Sequence, residues 1–533
     1  MILFDHKIRK LKLASLGLII ILVLSGCSSV QSSQSSSQAG ITSESVSGSK
    51  TEASASSTAN QSTGTQPAAD LSSYKAEDLV TDYDSSATFI HGDGSDVTIE
   101  GSGAALVDGK VKITKAGTYV LSGEINTQIL VEATANDLVY LVLNGVTITC
   151  EDSSAIYGSQ SDKIVITLYE NTENRVSDGS VYVYDNAADD EPNAVIFSKD
   201  DLVLNGTGSL VAEGNYEEGI RSKDDLLIIS GTYQITSILD AVQGKDSVTI
   251  ADGEFTIQAG NDAIKASNDT ESDKGYVVIN GGTFLISAGD DAFHAETSMT
   301  INGGDITITE CFEGIEGLTV EINGGNISLY ASDDGINAAG GSDEGEGFFG
   351  GGMFGGNENA VVTINGGTIY VNAAGDGIDS NGYLYVNGGT IYVEGATNSG
   401  NGALDYDLDA LVSGGTIVAV GSTGMAQGFG SSSTQGHILY NLSSQQQGGS
   451  TIVLKDGDGN EIISFTPEKQ YQSVVISDPQ IQTDGVYTLT GGSETVEITM
   501  SGNSYSNTQG GFGGTGANQG GTQNGGQGGG PRR

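Results

Sequence analysis

The sequence predicts an all-β chain: a right-handed parallel β-helix of about 22 residues per rung with a small C-terminal β-module. Three observations predict it. Asn280, Asn302 and Asn323 each open an N-G-G triplet at steps of 22 and 21, and Asn365 and Asn387 repeat it at a step of 22. A second motif, acid–Ala/Gly–apolar, recurs as EGI, DAV, DAI, DAF, EGI, DGI and DGI, led by Glu218, Asp240, Asp262, Asp291, Glu313, Asp334 and Asp376. Each repeat holds three short apolar runs, such as VVTI, TIYV and GIDS around Asn365, and none has helical period or length. Three strands separated by turns make one rung, and rungs stack strand on strand.

Aligning the repeats tests this. The first inward position after the G-G turn reads Tyr233, Phe255, Phe284, Ile306, Ile327, Ile369, Ile391, Ile417. Two residues on it reads Ile235, Ile257, Ile286, Ile308, Leu329, Val371, Val393, Ala419, while the position between is mixed. Strand side chains alternate between faces, so a register shift would turn every one of these apolar side chains outward. N-G-G marks a sharp turn, where a left-handed backbone is cheapest for Gly and Asn. Stacked Asn side chains are expected to hydrogen-bond along the column.

The flanks divide the chain. Residues 1–27 read as a lipoprotein signal: a basic stretch (His6, Lys7, Arg9, Lys10, Lys12), the apolar ASLGLIIILVL, then LSGC ending at Cys27, the lipidation site. The alternative is an uncleaved anchor or a chance Cys. Residues 28–83 are Ser/Thr-rich and expected to be a disordered tether. The helix spans 84–434, with irregular capping rungs at 84–190, since terminal rungs must hide an open edge. An insertion at 340–359 loops out of one rung, and its Phe348, Phe349, Met353 and Phe354 are a floppy segment or a partner contact. The β-module covers 435–502, with DGDGNE (456–461) read as a hairpin turn rather than a calcium loop, because no acid completes a twelve-residue loop. A Gly/Gln/Asn-rich disordered tail covers 503–533. Cys150 and Cys311 lie about seven rungs apart, roughly 30 Å, and a disulfide needs Cα atoms within about 7 Å. Two free, buried thiols are expected.

A formal net charge of -47, with 80 Gly, 5 Pro and no Trp, excludes nucleic-acid binding and direct docking on anionic lipid. Hard metal cations are the natural counterions of carboxylates. The acid that leads each motif forms one column. The outward residue three positions on forms another: Arg221, Gln243, Lys265, His294, Glu316, Asn337, Asp379, Asp405, running from basic to acidic. Locally, each acid can accept backbone N–H groups and shape its turn. Toward the C-terminus Asp291, Glu313, Glu316, Asp333, Asp334, Asp376, Asp379 and Asp405 converge as candidate calcium ligands. Lys199, Lys223 and Lys245 stack in a separate ladder beside Asp200, Asp224 and Asp246, read as a charge-alternating turn column or as a grip on acidic sugar. Tyr370, Tyr385 and Tyr392 are outward rings that offer a carbohydrate platform or pair across strands for stability.

Over residues 84–500 the chain resembles the bacterial carbohydrate-binding-domain lipoproteins, the clostridial cellulose- and pectin-binding parallel β-helix proteins. The resemblance rests on KITKAGTYVLSG, LVLNGVTIT, NAVIFSKDDLVLNGTGSL, EGIRSKDDL, DAVQGKDSVTI and the D-[AG]-[IF] … I-N-G-G series. It implies the fold, bound calcium and polysaccharide binding (cellulose or polygalacturonate-like chains) without catalysis. The expected setting is a monomeric exported lipoprotein on the outer face of the cell membrane, held there by its lipid alone. Two alternatives stand beside it. A calcium-dependent polysaccharide lyase would need a base, for which Lys265 is the candidate. A structural adhesin or spacer would have no sugar ligand.

Overall fold

In a computed structural model that describes residues 72, 74–184, 186, 188–339 and 356–508, the chain is an all-β parallel β-helix with one short helical turn, Ala76–Leu79. The lipobox with Cys27 and most of the insertion lie outside the described residues. The three runs of each repeat build three faces. The first carries the acid motif and includes Glu218–Ser222, Val242–Gly244, Ile264–Ala266, Ile336–Ala338 and Ile378–Ser380. The second runs through Asp225–Ile228, Ser247–Ile250, Tyr276–Ile279, Val361–Ile364 and Tyr383–Val386. The third follows the N-G-G turn: Thr232–Thr236, Glu254–Gln258, Thr283–Ser287, Asp305–Glu310, Asn326–Ala331, Thr368–Ala373, Thr390–Glu394 and Thr416–Gly421.

Register follows the columns read from sequence. Tyr233, Phe255, Phe284, Ile306, Ile327, Ile369, Ile391 and Ile417 pair rung to rung, and all are buried. Tyr233, Phe255 and Phe284 stack face to face, centroids 5.0 and 4.7 Å apart. The Asn column is a hydrogen-bonded ladder: each side-chain amide donates to the Asn before it at 2.8–2.9 Å from Asn302 to Asn387. Asn280 at its foot donates to the Tyr74 hydroxyl, and Ser413 donates to Asn387 at its head. The left-handed conformation falls on the second glycine of each triplet, as at Gly282 (φ 104°) and Gly367 (φ 94°), and not on the Asn. The strands flanking the insertion keep register, with Val361 pairing Thr319 and Tyr383. Cys150 and Cys311 are free and buried, and burial pushes their thiols up to about 11 and about 12.

The structure departs from the expected domain limits at both ends. Residues 74–83, placed in the tether by their polar neighbourhood, are a strap laid on the second face. The Lys163 ammonium donates to the buried Asp78 carboxylate at 2.7 Å, and Asn205 donates to the Asp78 and Val80 carbonyls. Leu79 packs on the outward apolar cluster of Val165, Val203 and Ile229. The cap itself is two antiparallel hairpins, Thr88–Asp93 with Val97–Glu100 and Ala104–Val107 with Lys110–Ile113.

At the other end, two strands of the expected β-module belong to the main sheet. Tyr471–Ser477 pairs antiparallel with Thr416–Gly421 and with His437–Gln446, sealing the edge of the last rung. Only Ile452–Lys455, Glu461–Phe465, Val486–Gly491 and Glu494–Thr499 form a separate sheet. DGDGNE is the hairpin turn between the first two, with Asp456 accepting N–H bonds from Asp458 and Asn460. The start of the expected disordered tail is ordered: Ser504–Ser506 pairs with His437–Leu439.

Candidate functional site

The first face brings the two titratable columns together. Each motif acid precedes a short strand, and the next residue must be small because the backbone of the following rung crosses it. A Cβ on Gly335 would sit 2.5 Å from the Gly377 carbonyl oxygen. The acid then bonds in two directions. Along the axis, one oxygen accepts the N–H of the next acid: Asp262 to Asp240 at 3.2 Å, Asp291 to Asp262 at 2.9 Å, Asp376 to Asp334 at 2.6 Å. Within the rung, the other oxygen takes the side chain three residues on. Arg221 donates to Glu218 (2.6 Å), Gln243 to Asp240 (3.1 Å), Lys265 to Asp262 (2.7 Å), and His294 Nδ1 lies 2.8 Å from Asp291. From Glu218 to Asp291 the local reading of the acids therefore holds, and most rungs carry their own cation.

His294 is the last of these cations. It is fully buried, with Nδ1 2.8 Å from both Asp291 and Glu316 and Nε2 3.5 Å from Glu296. Burial alone would lower its pKa, but hydrogen bonds to the three carboxylates override this and push it up to about 12. Beyond it the column changes. Burial raises Glu313 to about 7, although Asn337 donates to it at 2.8 Å. Burial likewise raises Asp334 to about 6, Asp376 to about 7 and Asp379 to about 8, and their mutual repulsion with Asp405 adds to the shift. Asp405 is raised by burial and by Asp407, while Gln427 donates to it at 2.5 Å. None of the leading contributions to these last four shifts comes from a cationic side chain. Earlier in the column burial also raises Glu218 to about 7 and pushes Asp240 and Asp291 up, but there Arg221, Lys265 and His294 oppose it.

Of the eight nominated calcium ligands, Asp291, Glu313 and Glu316 present ligand atoms within 4.8 Å of one another. Asp333, Asp334, Asp376, Asp379 and Asp405 sense each other electrostatically but bring no such trio together among the described residues. Asp333 and Asp334 close around the backbone at Gly375, where an added Cβ would lie 2.4 and 2.3 Å from their carboxylate oxygens.

Two of the nominated tyrosines are covered. Tyr392 stacks on Phe465 of the C-terminal sheet, centroids 4.7 Å apart. Tyr370 donates its hydroxyl to Glu394, whose carboxylate also accepts the N–H groups of Glu468 and Lys469. Both rings serve docking of the C-terminal segment, so they are not a free platform. Tyr385 lies on a different face, the second, beside Tyr383 with centroids 5.7 Å apart. In the lysine ladder, Lys223 and Lys199 both turn to Glu191, the latter at 3.9 Å, and Asp246 pairs with Lys274 at 2.6 Å. Those charges are engaged locally. Lys265 is 8% exposed and held by Asp262.

In the turn just before each acid, the sequence pointed to Asp333 alone. There Leu239, Asn261, Asp290, Phe312, Asp333 and Gly375 form their own backbone ladder, each N–H donating to the carbonyl one rung back. The available signal was an apolar residue standing immediately before an acid at a turn, as in ILD and CFE.

Comparison with known proteins gives a family match over part of the chain. Residues 107–353 match the model of the carbohydrate-binding domain-containing proteins. A protein of that description from Acetivibrio thermocellus is 38% identical over 134 residues, covering 25% of this chain and 47% of the relative, so the match spans about half the relative's length. A solved structure of a polysaccharide lyase-like protein from C. thermocellum, a gadolinium derivative, is 34% identical, covering 46% of this chain and 95% of that one, with a TM-score of 0.41.

Proposed function

Because residues 107–353 match the model of the carbohydrate-binding domain-containing proteins, we propose that the chain is a non-catalytic, calcium-containing polysaccharide-binding protein of the cell surface. The observation that carries the calcium half is the switch in the first-face column. Most rungs up to His294 hold internal cations, whereas Asp334, Asp376, Asp379 and Asp405 are half-buried carboxylates that raise one another's pKa. Their oxygens are the hard donors that calcium takes, whereas Asp291 and Glu316, although grouped with Glu313, are already held by His294. A bound calcium would supply positive charge to a face that otherwise repels acidic sugars. The localisation follows from the L-S-G-C motif at Cys27.

A lyase is disfavoured by the state of its candidate base. Lys265 is buried and paired with Asp262 at 2.7 Å, and abstraction of a proton would first require breaking that pair.

The test is retention of the protein on insoluble cellulose and on polygalacturonate, in calcium and in EDTA, with the supernatant monitored for unsaturated uronide absorbance. Retention without absorbance is expected. Absorbance growing with time would make the protein a lyase, and no retention on either polymer would leave the structural reading.

A further inference from the structure

The strap is held to the solenoid by a buried ion pair between two distant parts of the chain. Lys163 opens the second-face strand Lys163–Leu168, between Leu138 of the rung before and Asp201 of the rung after. Its ammonium meets the Asp78 carboxylate at 2.7 Å, across 85 residues of sequence, and the two side chains are 7% and 5% exposed. The neighbouring residues on both sides are apolar: Leu79 follows Asp78, and Leu138 and Tyr140 pack with it on the Val165, Val203 and Ile229 cluster. Two charges held out of water there are costly, and a neutral group of similar size would not carry that cost.

The backbone around Asp78 is fixed from both sides. Asn205 donates to the carbonyls of Asp78 and Val80 at 2.8 and 2.9 Å, and the Tyr140 hydroxyl donates to that of Glu77 at 3.3 Å. Amine and carboxyl are therefore held in contact, which replaces an encounter in solution with an effective concentration of about 10⁵–10⁸ M. A third carboxyl stands beside them, with Asp201 Oδ2 4.0 Å from Nζ. Burial raises the Asp201 pKa and the Asp225 charge adds to the shift, against the opposing charges of Lys163 and Lys75. A carboxyl so placed can take up a proton and return it.

We propose that Lys163 and Asp78 condense into an amide that cross-links the strap to the solenoid, with Asp201 as the proton relay. The reactants are the ion pair itself. Burial alone would lower the Lys163 pKa, but the hydrogen bond to Asp78 and its charge override this. Nζ bonds to Asp78 Cγ, and one Cγ–O bond breaks. One ammonium proton passes to the Asp78 oxygen that already accepts it. A second passes through Asp201 to the same oxygen, which leaves as water. One ammonium and one carboxylate disappear together, so the step balances without oxidant, reductant or co-reactant. Loss of two buried charges drives it, and exclusion of water from the apolar cluster opposes its reversal. Lys265 and Asp262, also buried, are three residues apart within one rung, where an amide would tie together nothing distant. The use of the bond is mechanical and rests on the proposed anchoring at Cys27: tension from that end of the chain reaches the strap before it reaches the rungs.

The experiment is peptide mapping by tandem mass spectrometry of the denatured full chain, sampled over time from the start of expression, for wild type, Lys163→Arg and Asp201→Asn. Lys163→Arg keeps a cation for Asp78 but offers no nucleophilic amine, and thermal melts control for folding. Wild type is expected to give a branched peptide joining Asp78 to Lys163, lighter by one water than its two arms. Lys163→Arg should give separate peptides, and Asp201→Asn should form the branched one at least about a hundredfold more slowly. Separate, unmodified Asp78 and Lys163 peptides from wild type would overturn the cross-link. A branched peptide that forms in Asp201→Asn at the wild-type rate would overturn the relay. Neither result bears on the carbohydrate-binding reading.

Discussion

Replacing Asp78 with alanine is expected to destabilise the protein by about 3–5 kcal/mol, because it leaves a buried ammonium without its partner. Lys163 and Asp78 have side chains only 7% and 5% exposed, and the next carboxylate, Asp201, is 4.0 Å away. The strap would also lose its anchor, leaving Leu79 and the Asn205 bonds to hold residues 74–83 on the second face. Two measurements check this: the denaturation midpoint, and protease sensitivity at 74–83. The double variant Asp78→Ala/Lys163→Met should regain part of the loss, since it removes the orphaned charge as well. A single variant as stable as wild type would mean that the strap contributes nothing to the fold.

Phe255→Ala should cost a similar amount, about 3–5 kcal/mol for a buried Phe. Phe255 is 2% exposed and lies between Tyr233 and Phe284, with interplanar angles of 10° and 4°. Truncation removes both stacking contacts, each worth about 0.5–1.5 kcal/mol, and leaves a gap in the middle of a column. A solenoid holds together through contacts between neighbouring rungs, so the damage should localise. Hydrogen exchange is expected to accelerate in the rungs of Tyr233 to Phe284 before those of Ile369 to Ile417. Uniform acceleration along the chain would contradict the one-dimensional picture.

The solenoid was legible because its period is written in residue types that only a stacked rung requires. Asn280 to Asn387 repeat because each amide bonds the next, and the inward pair of each third-face strand repeats because it meets the same column above and below. The ends were less legible. Residues 74–83 resemble linker in composition, and their structure depends on Lys163, Val203 and Asn205, which are far away in sequence. Tyr370 and Tyr392 lie outward from the solenoid as expected, but not outward from the protein, because Phe465 stacks on Tyr392 and the Glu394 carboxylate takes both the Tyr370 hydroxyl and the Glu468 N–H. At the candidate site both columns were visible in the sequence. Their coupling was not, because the distances that place His294 between Asp291 and Glu316 arise only when adjacent rungs stack.

The central claim is that the acid column neutralises itself up to His294 and requires an external cation beyond it. Thermal stability in EDTA and in calcium, followed from pH 5 to pH 8, tests it most directly. Unfolded carboxylates titrate near 3.8 (Asp) and 4.5 (Glu), while burial and repulsion raise folded Asp334 to about 6, Glu313 and Asp376 to about 7 and Asp379 to about 8. Between those values the folded state binds more protons than the unfolded state, so without calcium stability falls as pH rises through this window. Calcium binds the ionised form, and at a hundredfold excess over its Kd it adds about 2.7 kcal/mol. The account predicts a melting temperature in EDTA that declines toward pH 8, and a gain from calcium that is larger at pH 8 than at pH 5. A melting temperature in EDTA that rises with pH, with no gain from calcium at pH 8, would contradict it.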